Sequence, residues 1–435
     1  MNVVQQLKIS KVTSITTGFV ITLSILAIVQ MVFQYAYSIP LPANLHFKIE
    51  KVFSASFKPS TMAFVGRDDF LILDRDEGKV FRVINGKMLH EPVIDVNVAT
   101  VGYRGMLGIA VSTDTNTHTI VFLYYTEARK DREDENLSDP VEPIGNRVYR
   151  YDLVDNKLVN PKLLLNLPAM PGPRHMGGVI ATGPDNNLYV SVGDLDGTFG
   201  GAKYDTMAQN YLNSSVLDGR SGILRINEEG KPVGEGILGS TFPLNLYYAY
   251  GIRNSFGFDW DQLTNKLWDT ENGPHYGDEI NIVEPGFNSG WVKVQGIWEP
   301  NFEQMGKIIH NPMKLVSFNG KGKYSEPEFT WIPTVAPTAL VFFNSSNYGV
   351  KYNNTLFVGD ANTGTLYNFK LNINRSGLEL DGDLKDKIAN NENEVKNVTF
   401  ATGFGRITDM DLGLDGNLYV LSSKNGLSVH KIITH

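Results

Sequence analysis

The composition and charge of this 435-residue chain exclude several classes of protein. A formal net charge of −8 at pH 7 and a pI near 5.6 argue against nucleic-acid binding, because contacts to phosphates need a basic surface. The chain has no cysteine, so disulfides and thiolate metal sites are excluded. Its 42 glycines and 11% aromatic residues are typical of many short strands joined by tight turns.

The first 39 residues predict a segment that enters or crosses a membrane. An apolar run from Ile15 to Phe33 follows two lysines. It is long enough to span a bilayer with its N-terminal side inside the cell. Ala36-Tyr37-Ser38 has small residues at the spacing of a signal-peptidase site. The run is therefore a transmembrane helix or a signal peptide. Either one places the body of the protein, residues 45–435, outside the cytoplasm, membrane-anchored or secreted.

Beyond residue 44, a pattern of apolar strand, polar turn and second apolar strand recurs six times. The units begin at Phe64, Gly108, Val179, Phe256, Ala339 and Ile407. Their polar centres, such as PDNN and LDGN, predict hairpin turns, and the flanks alternate with a period of two. Amphipathic helices do not alternate with these strands. The pattern predicts an all-β fold, a six-bladed β-propeller formed by residues 45–435.

A propeller brings loops from different blades together at the mouth of its central channel, and candidate site residues lie in such loops. His175 precedes the third unit, and a neutral imidazole can take a proton from an alcohol. Asp194 follows about one hairpin later, where it can bond the imidazole and fix its tautomer. Arg253 and Asn254 form a third candidate group. The alternatives are a structural or exposed histidine and an aspartate that caps a turn.

The turn Asn272-Gly273-Pro274 is a candidate metal site. A Gly-Pro turn cannot continue a strand ladder, so the carbonyls of Gly273 and Pro274 can face a ligand. With the Asn272 side chain they supply hard oxygen donors of the kind that Ca²⁺ takes. The alternative is an ordinary solvated loop.

Six longer segments occur together in one order along the chain. They are GMLGIAV, HMGGVIATGPDNNLYVSVGD, SGILRINEEGKPV, YAYGIRNSFGF, ENGPHYGDEINIVEPGFNSGW and LDGNLYVLS. In combination they resemble the glucose/sorbosone dehydrogenase family, the soluble glucose and aldose sugar dehydrogenases that depend on pyrroloquinoline quinone (PQQ). The resemblance covers roughly residues 50 to 432. It implies a six-bladed propeller, in agreement with the repeat count.

The resemblance also implies roles for the residues around the histidine. His175 matches the general base, which removes the proton from the anomeric hydroxyl as hydride passes to the quinone. Asp194 matches the carboxylate that orients this base. Arg253 and Asn254 match the pair that contacts and polarises the carbonyl region of the quinone, so Arg253 has both a catalytic and a cofactor-binding role.

Further positions are implied to hold the metal and the carboxylates of the cofactor. Gly273 and Pro274 match the backbone carbonyls that bind the catalytic Ca²⁺, and Asn272 takes the place of a side-chain ligand and borders the cofactor. Arg406 matches an arginine that pairs with a cofactor carboxylate.

Three cofactor-binding positions depart from the family pattern. Tyr103 stands where a Gln or Glu is usual, Asn362 where a lysine binds the cofactor, and Thr408 where a second arginine is found. PQQ carries three carboxylates, and each lost charge-assisted hydrogen bond costs roughly 1.5–3 kcal/mol. Arg104 is a candidate to compensate from another loop.

The resemblance implies an extracytoplasmic quinoprotein oxidoreductase. It would oxidise an aldose or similar sugar at C1 with PQQ and Ca²⁺ and pass electrons to an external acceptor. The alternative is a relative without the quinone, a Ca²⁺-stabilised propeller that binds a carbohydrate or a protein at the cell surface. The four retained polar residues around the histidine favour the enzyme, and the two lost cations favour the alternative.

Overall fold

The computed structural model describes residues 40–113, 118–129, 143–196, 205–297, 315–424 and 426–435. Apart from short 3-10 turns, the regular structure of these residues is β-strand, and the strands are distributed over six mainly antiparallel sheets. The turns are Met207–Gln209, Leu244–Leu246, Gly382–Asp386 and Glu394–Val398.

Sheets 1 to 3 follow one another along the chain, and the first strand of each is its innermost one. Sheet 1 contains Pro59–Gly66, Asp69–Asp74, Lys79–Ile84, Lys87–Met88 and Ile94–Asp95. Sheet 2 contains Met106–Thr113, Thr119–Ala128, Pro143–Val154 and Lys157–Leu167. Sheet 3 contains Ile180–Thr182, Leu188–Val192, Gly222–Ile226, Tyr247–Tyr250, Phe287–Asn288 and Lys323–Tyr324.

Sheets 4 to 6 have the same plan, and the last two take up strands from the N-terminal end. Sheet 4 contains Ser255–Asp261, Lys266–Glu271, Asp278–Val283, Phe329–Trp331 and Ile388–Ala389. Sheet 5 contains Pro337–Phe343, Thr355–Asp360, Leu366–Phe369, Thr399–Thr402 and Leu41–Pro42. Sheet 6 contains Arg406–Leu412, Leu418–Ser423, Leu427–Thr434 and Phe47–Ala55.

The six sheets pack side by side around a central axis. The first strands of consecutive sheets contact each other, and the first strand of sheet 6 contacts that of sheet 1; sheets 3 and 4 meet through the second strand of sheet 3. Each of the six repeat units found in the sequence lies in a different sheet, because each unit contains all or part of that sheet's first hairpin. The all-β propeller fold is confirmed.

The two ends of the described chain meet in sheet 6. The strand Phe47–Ala55 pairs antiparallel with Leu427–Thr434 as the outermost strand of that sheet. Leu41–Pro42 pairs with Thr399–Thr402 in sheet 5. The N-terminal strand therefore completes the last sheet. This pairing adds contacts across almost the whole chain, at a loop-closure cost that rises only slowly with chain length.

The membrane prediction is not addressed by the described residues. None of them forms a helix that is long and apolar enough to cross a membrane. The predicted signal anchor or signal peptide, residues 1–39, lies outside the described part of the chain.

Aspartates on the innermost strands join neighbouring sheets. Asp259 Oδ2 accepts a hydrogen bond from the Phe342 N–H at 2.8 Å, which links sheet 4 to sheet 5. Asp409 Oδ2 accepts from the Met62 N–H at 2.8 Å and links sheet 6 to sheet 1. Asp411 lies on the same strand as Asp409 and lines the cavity at the centre of the propeller. Burial and the negative charge of Asp409 raise the pKa of Asp411 from 3.8 to about 8.

Replacement of Asp411 should change how stability depends on pH. Because folding raises this pKa, the unfolded chain releases the proton first, and the wild type loses stability as pH rises from about 4 to about 8. Asp411→Asn keeps the Oδ1 acceptor of the Leu412 N–H but cannot ionise. Between pH 5 and pH 8, the melting temperature of Asp411→Asn should fall about 1–3 °C less than that of the wild type.

The measurement is scanning calorimetry at both pH values, with the exposed Asp383→Asn as the matched control. Equal pH dependence in Asp411→Asn and wild type would show that this carboxyl does not titrate with folding.

Candidate active site

A cavity of about 910 Å³ lies on the axis of the propeller and is lined by the first strand of every sheet. Most of the site residues predicted from the sequence line it, although they are far apart along the chain. They are Tyr103, His175, Arg253, Asn254, Asn272, Gly273, Asn362, Arg406 and Thr408. Asp194 and Pro274 do not line the cavity.

The loop that carries His175 lies close against the end of the second strand of sheet 3. A side chain at Gly177 would put its Cβ 2.4 Å from the Ser191 carbonyl oxygen, so this close approach requires glycine there. His175 itself has a positive φ of 55°. The backbone conformation of this loop thus brings the imidazole to Asp194, the second residue after the strand.

The predicted contact between His175 and Asp194 is present. His175 Nδ1 lies 2.6 Å from Asp194 Oδ1, and the aspartate is fully buried. Burial alone would raise the pKa of Asp194, but the hydrogen bond from His175 and the charges of His175 and Arg253 hold it below its usual value. The carboxylate therefore remains ionised and accepts the Nδ1–H of the imidazole.

Arg253 lies on the other side of the imidazole. Its Nη2 is 3.0 Å from His175 Nε2. An arginine nitrogen can only donate, so Nε2 is the acceptor and the ring proton is on Nδ1. Its Nη1 donates to the Asn272 carbonyl oxygen at 2.8 Å, while Nε is buried and has no hydrogen-bond partner among the described residues. Burial lowers the pKa of Arg253, although the nearby carboxylates of Asp194 and Glu271 oppose this effect.

Asn254 and Asn272 connect three loops through their amides. Asn254 Oδ1 accepts from the Gly177 N–H at 3.1 Å, and its Nδ2 donates to Asn272 Oδ1 at 3.1 Å. Asn272 Nδ2 in turn donates to the Pro337 carbonyl oxygen at 2.8 Å. The partners fix the orientation of both amides, so the oxygen of Asn272 is held on the side of Asn254.

Asp278 anchors the Gly-Pro turn, a role that the sequence did not reveal. Its Oδ1 accepts from the Gly273 N–H, and its Oδ2 accepts from the Val335 and Ala336 N–H groups, each at 2.7 Å. Burial raises the pKa of Asp278 to about 6, although these donors act in the opposite direction. The carboxylate is used to hold two loops together.

The residues expected to bind the carboxylates of a cofactor lie at the same cavity but differ in their surroundings. Arg406 is exposed, and its guanidinium makes no hydrogen bond or ion pair within the described ranges. Thr408 Oγ1 is buried and lacks a partner among the same residues. Asn362 is exposed and donates to the Thr334 carbonyl oxygen at 3.1 Å. The Tyr103 side chain is half-exposed at the cavity.

The proposal that Arg104 compensates for the lost cations is wrong. Arg104 is buried away from the cavity, and its Nη2 donates to the Ala169 carbonyl at 2.7 Å and to the Gly172 carbonyl at 3.3 Å. It supports the loop that leads to His175. The cavity instead contains Arg75, which the sequence reasoning missed. Arg75 directly follows the second strand of sheet 1, as Asp194 follows that of sheet 3, and this position was the available signal.

Comparison with known proteins agrees with this arrangement. The sequence pattern of the glucose/sorbosone dehydrogenase family matches residues 57–431. The chain belongs to this family. It is 23% identical over 380 residues to the aldose sugar dehydrogenase YliI of Escherichia coli, covering 86% of this chain and 89% of that protein. It is 25% identical over 372 residues to quinoprotein glucose dehydrogenase B of Acinetobacter calcoaceticus, covering 72% and 75%.

Solved structures share the fold. The apo form of the E. coli aldose sugar dehydrogenase superposes with a TM-score of 0.67 at 21% identity, covering 89% of this chain and all of the other. The PQQ-bound aldose sugar dehydrogenase of Streptomyces coelicolor gives a TM-score of 0.61 at 21% identity, covering 90% and 100%. At this level of identity the likeness establishes the propeller fold.

Three donors at the cavity fit a ligand that is rich in carboxylate and carbonyl groups. Donors without a partner in the described part of the chain border it: Arg253 Nε, Thr408 Oγ1 and the Arg406 guanidinium. An unpaired buried donor costs free energy unless a ligand or water bonds it. PQQ, with three carboxylates and quinone carbonyls, matches this donor set.

The fit for Ca²⁺ rests on fewer groups. Within the described ranges, no set of three or more His, Asp or Glu side chains is placed to hold a metal ion. At the Gly-Pro turn the carboxylate of Asp278 is already occupied by backbone N–H groups. A Ca²⁺ site here would therefore use the Asn272 side-chain oxygen and the carbonyls of Gly273 and Pro274, donors that Ca²⁺ accepts.

Removal of the Asp278 carboxylate should loosen the turn and destabilise the fold. Asp278→Ala leaves three backbone N–H groups without their acceptor, and we expect a loss of about 2–4 kcal/mol in the free energy of unfolding. The measurement is urea unfolding of the wild type, Asp278→Ala and the exposed control Asp383→Ala. A loss no larger than that of the control would contradict the anchoring role.

Proposed function

We propose that this protein is an extracytoplasmic PQQ- and Ca²⁺-dependent oxidoreductase that oxidises an aldose or similar sugar at C1. The observation that carries the proposal is the position of His175, held between Asp194 and Arg253 at the cavity. Membership in the glucose/sorbosone dehydrogenase family supports the same activity. The N-terminal apolar run supports the location outside the cytoplasm. The six sheets would be the six blades of one closed ring.

The chain's own residues account for the proton transfer. Asp194 holds the Nδ1–H of His175, which leaves the Nε2 lone pair as the base. In the structure this lone pair accepts from Arg253 Nη2, so a sugar hydroxyl that donates to Nε2 takes over the place of that N–H. As the hydroxyl proton moves to Nε2, the resulting imidazolium is stabilised by the buried Asp194 carboxylate.

The cofactor, when bound, supplies a two-electron acceptor for the hydride that leaves C1. The sugar thereby loses one hydride and one proton and becomes a lactone. Arg253 and Asn254 would contact the quinone carbonyls, while Arg406 would pair with a carboxylate. Asn272, Gly273 and Pro274 would hold Ca²⁺ beside them. An external acceptor would be needed to take up the two electrons.

A second candidate function is a propeller without the quinone that binds a carbohydrate or a protein at the cell surface, stabilised by Ca²⁺. The specific observation in its favour is the neutral side chains of Asn362 and Thr408 at the cavity, where two cations are expected. The loss of two charge-assisted hydrogen bonds weakens binding by several orders of magnitude if nothing replaces them.

Titration of the full-length protein with PQQ separates these functions. With Ca²⁺ present, we expect stoichiometric binding by calorimetry at micromolar or tighter affinity. The absorption band of the bound quinone should bleach when an aldose is added. Prior chelation should lower both the quinone affinity and the melting temperature, since a ligand bound only by the native state stabilises it. Absence of binding at high micromolar quinone would reject the dehydrogenase and leave the cofactor-free function.

Replacement of His175 tests the mechanism. His175→Ala should lower kcat by about 10²–10⁴-fold, the range for loss of a general base, while PQQ affinity changes little. His90→Ala, at an exposed histidine that does not line the cavity, serves as the control. Turnover at the wild-type rate in His175→Ala would remove this residue from the mechanism.

A further inference from the structure

Trp291 contacts two of the proposed site residues with one side chain. Its Nε1–H donates to Asp194 Oδ2 at 2.9 Å, and the guanidinium carbon of Arg253 lies 5.4 Å from the centroid of its ring. The side chain is almost completely buried. We propose that Trp291 is a positioning residue that sets the orientation of the His175 imidazole through Asp194 and Arg253. The proposal rests on the proposed function for its kinetic consequences, but not for its geometry.

The hydrogen bond from Trp291 assigns separate partners to the two carboxylate oxygens of Asp194. Oδ1 faces His175 Nδ1 and also accepts from the Asp196 N–H at 2.9 Å. Oδ2 is the atom that faces the indole. A carboxylate with a donor on each oxygen cannot rotate without the loss of a bond, so Oδ1 stays in line with the imidazole.

The ring of Trp291 acts on the opposite side of the imidazole. A guanidinium over an indole face is attracted by the ring quadrupole, and the attraction is stronger when both are buried. Arg253 is the residue whose Nη2 faces His175 Nε2. Trp291 therefore touches the hydrogen-bond partner of each imidazole nitrogen.

The backbone of Trp291 is itself held in place. Its N–H donates to the Gly251 carbonyl at 2.8 Å, two residues before Arg253. Its carbonyl accepts from Asn210 Nδ2 at 2.8 Å. The backbone that carries the indole is therefore fixed by two hydrogen bonds. Such support is expected of a residue that positions Asp194, and not of an accidental contact.

A matched pair of substitutions isolates the indole N–H. Trp291→Phe keeps an aromatic ring beneath Arg253 but removes the donor to Asp194. Trp268→Phe makes the same chemical change at another fully buried tryptophan, whose Nε1 has no hydrogen-bond partner among the described residues. Both variants lose similar ring volume, so a general effect of the smaller ring appears in both.

For the PQQ- and Ca²⁺-loaded enzyme, we expect Trp291→Phe to lower kcat by about 10–100-fold, as for other partners that orient a reactive group. The KM for sugar should change less than about 2-fold, because Trp291 acts through Asp194 and not on the substrate, and the pH–rate profile should shift. Trp268→Phe should keep the wild-type kcat and profile. In an Asp194→Ala background, Trp291→Phe should cause no further loss, because the acceptor of its N–H is gone.

A second readout does not need activity. In the protein without cofactor, the Nδ1–H proton of His175, bonded to Asp194, should give a low-field proton NMR signal that is absent from His175→Ala. This signal should move or broaden in Trp291→Phe and stay unchanged in Trp268→Phe. If the wild type oxidises no sugar but the signal responds in this way, the proposed function fails while the positioning role stands. An unchanged signal in Trp291→Phe, or the same change in both variants, overturns the inference.

Discussion

The site depends on the closure of the propeller by strands from the two ends of the chain. Phe47–Ala55 pairs with Leu427–Thr434, which completes sheet 6 and brings its first strand against sheets 5 and 1. Arg406 and Thr408 belong to that first strand, whereas His175 belongs to the loop before sheet 3. These residues line one cavity because the first strand of sheet 6 contacts the first strands of sheets 5 and 1. Sheet pairing far from the cavity therefore determines the geometry of the site.

The buried carboxylates of the propeller have different roles, which depend on their hydrogen-bond partners. Asp194 stays ionised because His175 and Arg253 flank it, and it serves the imidazole. The two oxygens of Asp278 accept hydrogen bonds from three backbone N–H groups and so hold two loops together. Asp409 bonds the N–H of the next sheet. The difference lies in whether the carboxylate bonds the side chain of a proposed catalytic residue or fixes backbone groups of a neighbouring loop or sheet.

Much of the fold and part of the site could be predicted from sequence. The alternation of apolar and polar residues with a period of two, together with the six hairpin turns, was sufficient to predict the all-β propeller. Both features depend on local geometry, which can be deduced from the sequence. The pair His175 and Asp194 followed from hairpin length, since a hairpin returns the chain to its starting edge. Arg104 was assigned wrongly, because nothing in its local sequence shows that its guanidinium turns inward to the carbonyls of Ala169 and Gly172.

The amino-acid sequence by itself determined the strand repeats, the residue types available for chemistry and the membership in the glucose/sorbosone dehydrogenase family. The tertiary structure decided which of these residues meet. Trp291 donates to Asp194 across 97 residues, and Asn254 bonds Gly177 across 77. Periodicity and turn chemistry act over a few residues, whereas such contacts depend on how separate sheets pack around the axis. For that reason the bond from Trp291 to Asp194, and the partners of Asp278 and Arg253, became known only from the folded chain.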